Sequence, residues 1–345
     1  MSARLSRRAA IAGGGVLLAL AFVLGASSGA YAISAAQLLQ VLGAAWQGGA
    51  DPTPQHLVFM NIRLPRLILG VAAGCGLGMA GALMQGLFRN PLADPGLIGI
   101  SSGAALAAGL TIVLGAWLWP VLPRTLGSWT LVAMAFGGGF LVTLLIYGLS
   151  RSEGGTRMAL MLLAGIAINA LAGAGLGFLS VMATDEQLRS LQFWLLGSLG
   201  GARWSAVILV GAIVFVACVA ALTLAAPLNA IALGESQAAL LGVDVERVKR
   251  RAIVVTAFAV GSVTATTGII GFIGLIAPHW VRMVAGPDHR VVLPASGLLG
   301  AALVLAADTV ARTAMAPAEL PLGVLTAFIG VPMFLLMLRH FRNRV

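Results

Sequence analysis

The residues able to do chemistry are few in this chain: 11 carboxylates, 21 basic side chains, four histidines and two cysteines among 345 residues. An active centre needs an acid, a base, a nucleophile or a metal set gathered in one place, and here the ionisable groups stand mostly at the ends of apolar runs. P-loop nucleotide hydrolysis needs a lysine inside a glycine-rich cradle; the single lysine, Lys249, follows Glu246-Arg247-Val248 instead. No catalytic residue is assigned, no enzyme is expected, and any energy must come from a partner. Cys75 and Cys218 lie in apolar runs without zinc-type spacing, so they are expected as two small buried thiols with no metal bound.

Three other groupings have a chemistry of recognition. Arg63, Arg66 and Arg312 present guanidinium forks that take carboxylates bidentately, though arginines at such positions also snorkel into headgroups. Asp308, one turn before Arg312, is placed to pair with it. Gln85, Asn90, Ser101, Ser102, Asn169 and Thr266 are polar in apolar surroundings, which suits either a path for a polar ligand or hydrogen bonds between helices. The segment 233–242, Leu-Gly-Glu-Ser-Gln-Ala-Ala-Leu-Leu-Gly, is short and polar-ended. Its small residues would let a helix dock closely on a partner surface, with Glu235 capping or pairing with a basic group; the same residues also suit an amphipathic loop tied to anionic lipid by Lys249, Arg250 and Arg251.

The elements that must position these groups lie in a membrane. Hydrophobic residues make up 59% of the chain, charged residues 9%, and the mean hydropathy is +1.00; a soluble domain carries about 25% charged residues. At roughly 20 residues per crossing, the apolar material predicts ten helices, near 9–31, 65–87, 94–118, 128–148, 158–181, 192–218, 251–269, 271–285, 292–310 and 322–338. The whole of 1–345 reads as one transmembrane domain, with 227–250 as a cytoplasmic segment within it. The basic start before Ala9 imitates a secretory signal, but the apolar run is long and leads into further spans, so it reads as a retained first helix. The net charge of +10 does not indicate nucleic acid, because the basic residues are dispersed between apolar blocks.

Charge placement orients the chain. With ten spans and both termini cytoplasmic, six of the 21 basic residues (Arg63, Arg66, Arg124, Arg189, Arg203 and Arg312) fall outside and the rest inside, as the positive-inside rule requires. Two stretches break the helical pattern. One is 89–96, leading into Ser101-Ser102-Gly103; the other is 268–274, leading into Ala277-Pro278-His279. Proline and glycine there free backbone groups that lipid cannot satisfy, so both stretches must face protein or a wet cavity.

Several blocks together resemble the FecCD family of ABC importer permeases: Arg63-Leu64-Pro65-Arg66, Gly81-Ala82-Leu83-Met84-Gln85-Gly86, residues 89–96, the 233–242 segment, residues 271–279, Asp288-His289-Arg290, residues 307–312 and Glu319-Leu320-Pro321-Leu322-Gly323. The similarity runs in order from about residue 60 to 338. It implies an all-α polytopic membrane protein of the BtuC-like type II ABC importer fold with ten transmembrane helices per subunit. It also implies a second copy of the chain, two cytoplasmic ATP-binding subunits that use ATP-Mg, and a periplasmic substrate-binding protein. Leu233, Gly234, Glu235, Ala238, Leu241 and Gly242 would couple to the ATPase, and Arg63, Arg66 and Arg312 would meet acidic residues of the binding protein. His279 tempts a haem-iron assignment, but the proline–histidine match also occurs in family permeases whose ligands need no such ligation, so it reads as structural or coupling.

The resulting expectation is an inner-membrane permease, binding no cofactor tightly, that moves a large iron or cobalt chelate into the cytoplasm. The stretch Asp94-Pro95-Gly96-Leu97-Ile98-Gly99 with Ser101-Ser102-Gly103 looks most similar to the haem-importing branch, with ferric siderophore and then cobalamin as alternatives. An ion-coupled carrier working alone is the rival of a different class. It would want an ionisable residue near mid-membrane on a broken helix, and it gives the 233–242 segment no purpose.

Overall fold

A computed structural model describes residues 5–29, 53–153 and 155–342. In chain order its principal helices are α1 (Arg7–Ser27), α2 (Leu64–Leu87), α3 (Ile100–Leu118), α4 (Trp129–Leu149), α5 (Met158–Met182), α6 (Asp185–Leu196), α7 (Trp204–Thr223), α8 (Ala225–Ala232), α9 (Glu235–Leu240), α10 (Val245–Thr267), α11 (Ile273–Ala285), α12 (His289–Thr313) and α13 (Leu322–Arg342). Arg151–Ser152 pairs antiparallel with Gly155–Thr156, forming a small hairpin between α4 and α5. By length and composition, α1, the stretch Pro54–Leu87, α3, α4, α5, α7 and α12 can each cross a membrane. The apolar length of α10 follows two basic turns, and α11 and α13 supply shorter apolar stretches.

Each expected span meets a helix, with two corrections. The stretch 192–218 is not one helix: α6 ends at Leu196, and α7 begins only at Trp204. Gly197 has φ +69° there, a conformation that glycine adopts without strain. The stretch 94–118 begins its α-helix only at Ile100, after a 3-10 turn over Pro95–Ile98 closed by left-handed Gly99. The polar interruption 227–250 is itself helical, containing most of α8, all of α9 and the start of α10. The end of the first expected span, at 30–31, lies outside the described residues, as do Arg4 and Arg344.

Helix α2 forms the centre of the molecule and is buried along nearly all of its length. A Cβ added at Gly74 would run into the Gly300 carbonyl, at Gly78 into the Ser296 carbonyl, and at Gly81 into the Gly274 carbonyl. These glycines let α2 lie backbone to backbone against α12 and the start of α11. Such packing replaces the hydrophobic drive that lipid cannot provide between helices.

The breaks between helices are satisfied by one another, as the sequence requires of irregular backbone at membrane depth. Ser198 N–H donates to the Thr267 carbonyl at 2.7 Å, and Leu322 N–H donates to the Gly197 carbonyl at 2.9 Å. A side chain at Gly268 would strike the Trp194 carbonyl, and one at Gly323 would strike those of Leu196 and Ile269. The ends of α6, α10 and α13 therefore meet at one glycine-lined joint. Phe272, which precedes α11, takes φ +67°, a strained value for an aromatic residue.

Gly78→Ala is expected to lower the thermal midpoint of the detergent-solubilised chain, since overpacking costs about 1–3 kcal/mol. Gly13→Ala, whose added carbon meets nothing within 4 Å, should leave the midpoint unchanged. Equal midpoints for the two variants would contradict the close seam.

Candidate functional site

Polar side chains gather at the two ends of the bundle. At one end Arg66 and Arg312 converge on Asp308, whose side chain is 1% exposed. Arg66 Nε donates to Asp308 Oδ1 at 3.0 Å, and Arg312 Nε donates to Oδ2 at 3.0 Å. Arg66 also makes a fork-to-fork contact with Glu319, at 3.0 and 2.9 Å. The remaining nitrogens of Arg312 donate to the Ser28 and Gly25 carbonyls, and Arg63 Nη1 donates to the Ala26 carbonyl at 2.7 Å. These carbonyls close the C-terminal turn of α1, where positive charge is favoured. One ionic centre thus ties α1, α2, α12 and the approach to α13.

The expected pairing of Asp308 with Arg312 is present. Asp308 also serves Arg66, which pattern reading missed, because a partner 242 residues away leaves no local spacing signal. Arg63, Arg66 and Arg312 do not snorkel; Arg63 and Arg66 are buried and Arg312 is half-buried. Any outside carboxylate that meets Arg66 must share it with Asp308 and Glu319.

At the opposite end, α8, α9 and the start of α10 form the polar-ended segment. Gly234 (φ +124°) and Gly242 (φ +80°) bracket α9, and these are values that favour glycine. Ala238 is fully buried against the body, while Leu233, Leu240 and Leu241 point outward, Leu240 with 88% of its surface exposed. Leu240 was absent from the expected contact residues; its signal was an apolar side chain standing among small and polar ones. Lys249 is buried, which removes it from any lipid anchor; Arg250 and Arg251 beside it remain exposed. Its Nζ donates to Glu235 Oε2 at 2.8 Å, Glu246 Oε1 at 3.2 Å and the Thr156 carbonyl at 2.8 Å.

Glu246 lies before the apolar part of α10. Burial pushes its carboxyl up, but hydrogen bonds from the Thr156 hydroxyl and N–H, together with Lys249, outweigh this and hold it below the usual carboxylate range. A depressed carboxyl contributes stability above its unfolded value and loses it as pH falls through the folded one. The contribution of Glu246 to the joint is therefore present at neutral pH and is lost as the solution is acidified.

A second chain of polar groups leads inward from α8. Asn229 donates to Asp288 Oδ1 at 2.6 Å and accepts from the His289 N–H at 2.9 Å. The His289 ring lies 3.4 Å from Arg282 Nη2, and Arg282 donates to Gln85 Oε1. Gln85 in turn donates to the Leu275 carbonyl at 3.2 Å, in the first turn of broken α11. Gln85 is thus a buried bridge between helices. Asn229 gave no signal in the sequence, whereas His289 stood in a quoted block without an assigned role.

The remaining expected path residues are scattered. Ser102 Oγ donates to Asn169 Oδ1 at 2.6 Å, joining α3 to α5, and Ser101 is half-buried beside it in sequence. Asn90 is exposed and accepts from the Leu92 N–H. Thr266 donates to carbonyls of its own helix and lines an apolar cavity of about 180 Å³ with Trp129 and Phe136. His279 is buried within α11. Cys75 and Cys218 are free thiols with their sulfurs 3.7 Å apart. Among the described residues, no three His, Cys, Asp or Glu side chains gather as a metal set.

Asp308→Ala should remove the one carboxylate bonded to Arg312 and leave Arg66 with Glu319 alone, and breaking a buried pair costs about 3–5 kcal/mol. Glu319→Ala should cost clearly less, because the Glu319 side chain is 45% exposed. Thermal unfolding of both variants in nanodiscs measures this, and equal losses would remove Asp308 from the centre of the network.

Residues 17–340 match the FecCD transport family. The chain is 46% identical over 301 residues to the hemin transport system permease protein HmuU of Yersinia pestis, covering 87% of this chain and 88% of that one. It is 42% identical over 297 residues to the cobalamin import system permease protein BtuC of Halobacterium salinarum, covering 85% and 76%. Among solved structures, an inward-facing metal-chelate type ABC transporter superposes with a TM-score of 0.83 at 30% identity, covering 96% of this chain and 98% of that one. The helices, the broken segments and these similarities agree: the chain belongs to the FecCD transport family and is the membrane permease subunit of an ABC importer, a multi-pass protein of the bacterial inner membrane whose ATPase is a separate chain.

Proposed function

We propose that the imported ligand is haem, delivered from the periplasm by a binding protein and released to the cytoplasm. The observation that carries this is the 46% identity to a hemin permease across 87% of the chain. Cobalamin is the second reading, supported by the 42% identity to a cobalamin permease; a ferric siderophore is the third, on family resemblance.

Two copies would enclose the path, with α5 at their junction. This helix buries only Met161, Gly165, Ala172 and Leu179 among its 25 residues. Gly173 and Gly177 leave open space that a second helix can enter. Ser101, Ser102 and Asn169 then lie nearest the axis and Asn90 at the inner mouth, while Gln85 and Thr266 serve packing. Both termini face the cytoplasm, and the Asp308 centre faces the binding protein, whose acidic residues compete with Asp308 and Glu319 for the arginines. Leu233, Gly234, Glu235, Ala238, Leu241 and Gly242 place α9 in a groove of the ATPase, with Leu240 as an added anchor. One ATPase serves each copy.

The test is ATP-dependent uptake in proteoliposomes holding the permease, its ATPase and its binding protein, with hemin, cobalamin and a ferric siderophore offered separately. Hemin uptake alone is expected, and uptake of another chelate without hemin overturns the proposal. In the same system Leu240→Asp should weaken ATPase binding at least about tenfold, as loss of a buried interface anchor does. Unchanged binding would remove Leu240 from the contact.

A further inference from the structure

We propose that Lys249 is a positioning residue that carries motion of α9 to the cytoplasmic start of α5; this rests on α9 being the ATPase contact. An ammonium has three hydrogens, and the Lys249 ammonium has three acceptors on three different elements. Glu235 is the first residue of α9, Glu246 lies in the first turn of α10, and Thr156 ends the hairpin. The side chain is 3% exposed, so in this geometry the ammonium depends on these three acceptors for its hydrogen bonds. A buried charge stripped of its partner is strongly unfavourable. If Glu235 moves, the ammonium and its other partners must follow or leave a charge uncompensated.

Slack is absent on the far side of the joint. Thr156 is clasped by Glu246 through both its N–H (2.9 Å) and its hydroxyl (2.7 Å). One residue later, Arg157 donates its N–H to the Ser150 carbonyl at 3.0 Å, and α5 begins at Met158. On the near side α9 is bounded by Gly234 and Gly242, both of positive φ, where the backbone has the wide conformational range of glycine. A rotation of α9 about Gly234 and Gly242 is therefore transmitted through Glu235 and Lys249 to the foot of α5, a long helix that buries only four of its 25 residues. Lysine suits this part better than arginine. Its point charge on a flexible stem can follow three diverging acceptors through a swing, whereas the donors of a planar guanidinium are fixed in one plane.

The experiment uses the complete transporter in proteoliposomes, with Cys75→Ser and Cys218→Ser as background and a spin label on Glu153→Cys, an exposed hairpin position. The distance between labels in the two copies is read with and without trapped nucleotide, beside hemin uptake per ATP hydrolysed. In the parent chain the distance is expected to shift on trapping. In Lys249→Met and Glu235→Gln the shift disappears and uptake per ATP falls about tenfold, within the usual span of coupling energies. Lys249→Arg should fall between parent and Lys249→Met. Glu235→Gln leaves Lys249 with Thr156 and Glu246, so it decides the matter if Lys249→Met does not assemble. Variants that keep both the shift and the parent's uptake per ATP overturn the proposal. A parent chain that binds no ATPase overturns the reading of α9, and this proposal with it; a coupled parent with equally coupled variants overturns this proposal alone.

Discussion

The rest of the structure depends on the close approach of α2 to its neighbours. In lipid the association of helices comes from van der Waals contact and hydrogen bonding, because acyl chains solvate apolar side chains as well as other helices do. Gly74, Gly78 and Gly81 remove the side chains that would hold the backbones apart, and they touch the Gly300, Ser296 and Gly274 carbonyls in turn. Contact at three successive turns fixes the rotation of α2 as well as its distance. Arg66 is thereby aimed at Asp308 at one end, and Gln85 at the start of α11 at the other. The polar centres are consequences of that register.

Backbone accounting explains why the irregular segments lie where they do. Each break between helices frees N–H and C=O groups that the hydrocarbon cannot satisfy. Here the breaks after α6 and α10 and before α13 bond to one another, and the break at the start of α11 is served by the Gln85 amide. The glycines of these segments are needed for close approach more than for flexibility. A Cβ at Gly197, Gly268 or Gly323 would press on a neighbouring carbonyl.

Much of this was legible in the sequence, because hydropathy and charge bias are local properties. The positions of the apolar helices, the broken segment before α11 and the pairing of Asp308 with Arg312 all follow from local patterns. The division of 192–218 was not legible: Gly197-Ser198-Leu199-Gly200-Gly201 differs little in polarity from the apolar runs around it, and only the contact with Ile269 reveals a turn. The ionic centres were half legible. Basic residues at helix ends announced themselves, but their partners are distant in the chain, as with Arg66 and Glu319 or Lys249 and Thr156. Sequence spacing cannot distinguish an arginine awaiting an external carboxylate from one already holding two.

The two ionic centres differ in a way that bears on mechanism. Asp308 is a buried acceptor that gathers donors from spanning helices, which glycine packing already holds in register. Lys249 is a buried donor, and one of its acceptors belongs to α9, a short helix with a glycine of positive φ on each side and Leu240 projecting outward. A charge network between rigid elements stabilises one geometry. The same kind of network with one jointed member instead conveys displacement, because the cost of unpairing a buried charge makes the other members follow. An importer driven from the cytoplasmic side needs its compliance at that end. Rigidity at the other end holds α1, α2 and α12 in one register.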